Sequence, residues 1–220
     1  MKTRKEYELE KICKLSYVNL SNFVGKFQFP KLRKTNCIPG ELISFKNAMK
    51  HNKFEAFVHF YLNDGEFECL WRNPERYITR LKKFDGILTP DFSLYTDMPL
   101  AMQIWNIYRS RIVGKIFERN GIRVIPAISW SDSRSFDFAF DGIPKNGVVS
   151  VSSVGIWKNK KFYHLFLKGL SAMIQKLQPA CIVFYGKIPT YDFGSIRIIH
   201  QKPDTFYWGK KTNGVYYKEI

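Results

Sequence analysis

Long apolar runs are missing from this 220-residue chain. None comes near the roughly 20 residues that cross a bilayer, and the charged opening MKTRKEYELEK has no apolar signal core. The expectation is a cytoplasmic protein with no membrane partner. Cysteine is sparse: Cys13, Cys37, Cys69 and Cys181 are scattered, with no C-x-x-C and no paired spacing, which predicts reduced thiols and speaks against zinc. No GxGxxG, GxxxxGK[ST] or GxSxG occurs, so the common dinucleotide, phosphate-loop and hydrolase fingerprints are absent. Acids are also few, 19 against 35 Lys and Arg, for a net charge of +16. Such an excess favours a polyanionic partner, DNA, RNA, a nucleotide or an acidic protein; the plain alternative is a Lys-rich soluble surface.

What the chain does have is 45% hydrophobic residues and 16% aromatics, enough for a sizeable core. The length suits one domain. Residues 1–50 are strongly basic, densest at Lys31-Leu32-Arg33-Lys34, and punctuated by Pro30 and Pro39-Gly40. They read as a basic N-terminal arm packed on a single α/β domain of residues 51–220. Strands are expected over 54–62, 86–89, 122–128, 148–154, 181–185 and 196–199, and helices over 74–83, 98–120 and 159–177. Asn73 and Asp97 are the expected helix caps. The alternation of Phe136, Phe138 and Phe140 with polar or small residues suggests an edge strand, with Asp137 or Asp141 pairing to Arg134. A final hairpin is expected near Asn213-Gly214. Strands separated by helical crossovers imply an α/β fold with a largely parallel sheet, an incomplete barrel or an open twisted sheet; a closed eight-fold barrel typically needs about 250 residues.

In parallel α/β folds, functional groups collect at the carboxyl ends of strands. Asp64, Asp91, Ser93, Tyr95, Asp97, Ser129 to Asp132, Ser152, Ser153, Tyr185 and Lys187 come after apolar runs here. Asp91 and Asp132 are candidate metal ligands for Mg²⁺, since paired carboxylates suit hard cations; the competing reading is that each caps or braces a loop. If the chain is an enzyme, Asp91 and Asp132 would act as metal or acid–base carboxylates. Ser131 and Tyr95 would then orient substrate, and Lys187 would meet developing negative charge. Lys31, Arg33, Lys34, Arg109 and Arg111 are the candidate nucleic-acid contacts. Arg109, Arg111, Lys115 and Arg119 share the polar side of the long helix, as a solvated face or an anion-binding one. His59 and His164 read as core histidines.

The runs LWRNPERYITRLKKFDGIL, PDFSLYTDMPLAMQIWNIYRSR, IPAISWSDSRSFDFAFDGIPK and VSVSSVG resemble a family of unknown function found in bacteria, phages and plasmids, mainly of low-GC Gram-positive hosts. The resemblance covers roughly residues 55–187 and brings no catalytic residues with it. It implies association with mobile elements. Charge, strand ends and resemblance together leave three functional expectations. The first is a nucleic-acid-binding protein of a phage or plasmid-type element. The second is a non-catalytic counter-defence or host-takeover protein binding a nucleotide or a host protein. The third is a metal-dependent phosphodiesterase or nuclease.

Overall fold

Apolar residues in short β-branched and aromatic runs, buried on both faces, build the centre of the molecule. In a computed structural model, residues 3–18 and 22–203 are described; the expected hairpin near Asn213-Gly214 lies outside them. Strands β3 (Leu42–Ser44), β4 (Phe57–His59), β5 (Gly86–Leu88) and β6 (Val124–Ile125) form one parallel ladder in sequence order. Strands β7 (Val148–Ser152), β8 (Cys181–Tyr185) and β9 (Arg197–Gln201) form another. A parallel bridge between Ala127 and Ser150 joins the two, with Ile128 N–H donating to the Ser150 carbonyl (2.9 Å) and Ser150 N–H to that of Pro126 (2.8 Å). All strands from β3 to β9 therefore run the same way and in order, as a parallel sheet buried on both faces does.

The sheet curls. Phe57, Leu88, Ile125, Val148, Cys181 and Val183 point to one shared interior, although they come from strands far apart in the order. His59 of β4 lies 4.5 Å from Tyr185 of β8, ring centre to ring centre, and the Tyr61 hydroxyl donates to Ser150 Oγ of β7 at 2.7 Å. Between β9 and β3 no backbone ladder forms among the described residues. The Gln201 amide instead reaches the carbonyls of Pro39 (3.4 Å) and Gly40 (3.3 Å). The sheet is open, and no barrel closes.

The other side chains of each strand alternate outward under helices, as the two-residue period requires. Val58, Ile87 and Val124 pack with Val113 and Phe117 of a long helix, Leu100–Arg119. Ile182 and Phe184 pack with Phe166, Leu170, Met173 and Leu177 of the helix Lys160–Leu177. In chain order the helices are α1 (Arg4–Ile12), α2 (Phe45–Ala48), α3 (Glu68–Arg72), α4 (Glu75–Leu81), α5 (Leu100–Arg119) and α6 (Lys160–Leu177). A small antiparallel pair, β1 (Phe23–Val24) with β2 (Phe29–Pro30), anchors the N-terminal segment through fully buried Phe29.

Several local expectations are corrected. Leu42–Ser44 lies inside the basic stretch yet is the first parallel strand, so the sheet starts before residue 50. Helix α5 begins at Leu100 behind Pro99, without Asp97 as its cap, and α4 begins behind Pro74 rather than Asn73. Residues Ser133–Asp137 form a 3₁₀ turn, not an edge strand. Phe138, Ala139 and Phe140 are all buried, and a strand with one wet face would have exposed the middle one. Arg134 pairs with Asp132 (2.7 Å), while Asp141 pairs with Lys176 (2.9 Å).

Candidate functional site

The carboxyl ends of the strands hold a buried polar cluster. Tyr61 N–H donates to His59 Nδ1 at 3.2 Å, which fixes the ring proton on Nε2; that nitrogen is buried without a partner. Burial holds the His59 pKa down at about 3, so the ring is neutral. The ring of Tyr61 stacks on Tyr185 at 5.0 Å, and burial lifts its phenol well above the ordinary range, so it keeps its proton. Asp91, just past β5, retains some residue surface, but its Oδ1 is buried and unpartnered. Burial raises its pKa to about 6, against a hydrogen bond to Ser129, with the neighbouring Asp64 charge acting in the same direction as burial. Asp64 is itself occupied, accepting from Ser93 N–H (3.2 Å) and Oγ (2.8 Å).

Asp132 is placed differently. It caps the 3₁₀ turn by accepting from Arg134 N–H (3.0 Å), and the Arg134 guanidinium grips both carboxylate oxygens at 2.7–3.1 Å. That pairing holds its carboxyl below the usual range. A carboxylate so engaged does not fit the expected two-aspartate Mg²⁺ site. Among the described residues no group of three or more His, Cys, Asp or Glu is arranged to hold a metal.

Tyr95 and Ser131 do come together, as walls of a hollow of about 300 Å³ between the ends of β5, β6 and β7 and the first turns of α6. Ser131 Oγ donates to Gln103 at 2.6 Å. Lys187 does not line the hollow; its ammonium lies 4.7 Å from the ring centre of Trp157, the residue after the lining residue Ile156. Trp130 and Phe162 supply the aromatic walls. The periodicity of α6 places Phe162 in the same stripe as its core residues, so the sequence carries no sign of this role.

The expected nucleic-acid residues divide. Arg111 has no exposed surface: Nε donates to the Asp141 carbonyl (3.0 Å) and Nη2 to that of Ala139 (2.7 Å). Arg109 is paired with Glu68 at 2.8 Å and lies 3.8 Å over the Phe92 ring. Both brace the interior, so the expected anion-binding face of α5 is reduced to Lys115 and Arg119.

Those two line a basic hollow of about 900 Å³ with Lys31 and Arg33. A second hollow of about 240 Å³ continues past Arg33 and Lys34 to Arg123. Thr35 hydrogen-bonds the first residue of β7, so this groove lies at the amino ends of the strands, away from the polar cluster. Its one buried acid, Glu118, is satisfied by Lys115 (3.0 Å) and by Arg33 N–H (2.7 Å). Lys31, Arg33 and Lys34 are exposed, and none of their side chains meets a carboxylate among the described residues.

The comparisons with known proteins agree with one another. The family model "Domain of unknown function (DUF4417)" matches residues 21–203. The Gene 1 protein of Mycobacterium phage L5 is 38% identical over 193 residues, 86% of this chain and 83% of its own length. The Gene 1 protein of Mycobacterium phage D29 is 36% identical over 193 residues, 86% of this chain and 70% of its own length. No solved structure matches. The chain belongs to the DUF4417 family, and these phage proteins are among its relatives.

Proposed function

We propose that the chain is a nucleic-acid-binding protein of a mobile element, acting in the host cytoplasm and gripping a phosphate backbone along the groove from Lys31 and Arg33 to Arg123. The observation that carries this reading is the groove itself. Four cations line its larger part, three line its extension, and its buried carboxylate is already neutralised. Of these cations, Lys115 is paired with Glu118 and Arg123 with Asp85, whereas Lys31, Arg33, Lys34 and Arg119 are exposed and meet no carboxylate among the described residues. At such cations backbone phosphates displace counterions, which supplies most of sequence-independent affinity. The whole-chain charge of +16 draws the polyanion in. The phage relatives support a mobile-element setting. No described helix is long and apolar enough to cross a membrane.

Fluorescence anisotropy with a labelled duplex and a labelled single strand tests the reading. Reversing Lys31, Arg33 and Lys34 to Glu should weaken binding by about tenfold or more at low salt, with the far-ultraviolet circular dichroism unchanged. Equal affinity in a folded variant would move the contact elsewhere. Absence of binding by the parent chain at roughly 50 mM salt would remove the function, because such affinity is greatest there.

A further inference from the structure

The hollow at the other end of the sheet has a different chemistry. Phe162 sits in the first turn of α6 and is 40% exposed, although the stripe below it (Phe166, Leu170, Met173) is buried. It faces the hollow with Phe166 and Trp130. The Trp130 indole is fixed against the ring of Phe166 at 5.2 Å and that of Phe140 at 6.0 Å. It fits because residue 169 is Gly: a Cβ there would stand 2.0 Å from Nε1. The polar side is equally fixed. Fully buried Gln103 accepts from Ser131 Oγ and donates to the carbonyls of Tyr95 (3.0 Å) and Met98 (2.8 Å). One amide thus locks the loop carrying Tyr95 and Asp97 to the loop carrying Trp130 and Ser131. Behind the rim, Ser153 Oγ donates to the Lys187 carbonyl at 2.6 Å and holds the turn that carries its ammonium.

We infer that this hollow is a seat for a single nucleobase. Trp130 and Phe162 both line it, and aromatic faces stack on any base. The volume of about 300 Å³ lies at the small end of ligand sites, and a mostly apolar pocket with a few fixed polar groups is their usual make-up. The Asp97 carboxylate, an acceptor only, takes a donor from a base edge: the exocyclic amino group of adenine, guanine or cytosine, or the ring N–H of guanine or uracil. Lys187, over the ring of Trp157 next to the lining residue Ile156, is the nearby cation for an attached phosphate. The inference is independent of the basic groove, which lies at the opposite ends of the strands.

Tryptophan fluorescence and thermal shift with AMP, GMP, CMP and UMP, and in parallel with short homopolymeric single strands, test it. Saturable quenching with a raised melting temperature is expected. Phe162→Ser, at an exposed position, should weaken binding about fivefold or more through lost stacking. Asp97→Ala removes the acceptor and should weaken binding of all four nucleotides without touching the aromatic walls. Response to strands but not mononucleotides, still sensitive to Phe162→Ser, would support a base delivered by a strand. No response to either, or a response unmoved by both variants, overturns the inference. A chain that ignores duplex DNA yet is saturated by a nucleotide removes the groove reading and leaves this one standing.

Discussion

Asp91 and His59 set opposing pH dependences, and the sign of each comes from its environment. Burial raises Asp91 from 3.8 to about 6. Between those values the folded chain holds a proton the unfolded chain has lost, so stability falls as pH rises through that window, by on the order of 2 kcal/mol. His59 is lowered from 6.5 to about 3. Below pH 6.5 the unfolded chain takes up a proton the folded one refuses, so stability rises with pH there. The two cancel in part between pH 4 and 6. Asp91→Asn keeps the acceptor for Ser129 and removes one side of the balance. Its urea-unfolding free energy should climb steadily from pH 4 to 6.5 and exceed the parent's at pH 7. Parallel profiles for the two chains would show that Asp91 is not held neutral by the fold. Arg111 gives a second contrast. Arg111→Met leaves the Ala139 and Asp141 carbonyls without a donor and should destabilise by about 1–3 kcal/mol, while nucleic-acid affinity in the folded fraction stays unchanged. A loss of affinity at unchanged stability would return it to the binding surface. At this scale the sequence made charge legible but not direction: Lys31, Arg33 and Lys34, expected as nucleic-acid contacts, are exposed, whereas nothing local distinguishes Arg111, turned inward, from Arg119, turned outward. Asp132 likewise reads both as ligand and as cap until Arg134 is seen closing on it.

Among the elements, those with a long period were legible. The stripe of α6 gave residues 159–177 against Lys160–Leu177, and the run CIVFY gave β8 with its bounds intact. The misses share a cause. Leu42–Ser44 is too short to carry a period and sits in basic sequence, so only pairing with β4 makes it a strand. Phe136 to Phe140 shows a two-residue period by composition, but the cap from Asp132 and the burial of Ala139 make it a turn. The α6 helix also supplies a prediction in which two effects compete. Gly169→Ala would raise intrinsic helix stability by about 0.5–1 kcal/mol, but its Cβ meets the Trp130 indole at 2.0–2.4 Å. The ring is wedged between Phe166 and Phe140, so overpacking should win, with a net loss of about 1–3 kcal/mol and a closed nucleobase hollow. A higher melting temperature for Gly169→Ala would mean that the ring moves freely and that the hollow's walls are not fixed.

At the scale of the whole molecule, parallel strands in sequence order separate two ends with different character. The carboxyl ends gather buried, neutral polar groups and aromatic walls; the amino ends gather exposed cations. The parallel architecture was legible from the spacing of apolar runs, and the polar rim from the acids and hydroxyls at their carboxyl ends. The groove was not, because Lys115, Arg119 and Arg123 lie far along the chain from Lys31 to Lys34 and only the fold brings them together. The most direct measurement of the central claim is the salt dependence of duplex binding. If the groove neutralises phosphates, log Kobs should fall linearly with log salt at about 0.9 per phosphate, giving a slope of roughly −3 to −6 for the parent chain. The Lys31, Arg33, Lys34 triple reversal should be shallower by about two to three. A parent slope near zero, or a slope that the triple reversal leaves unchanged, would contradict the account.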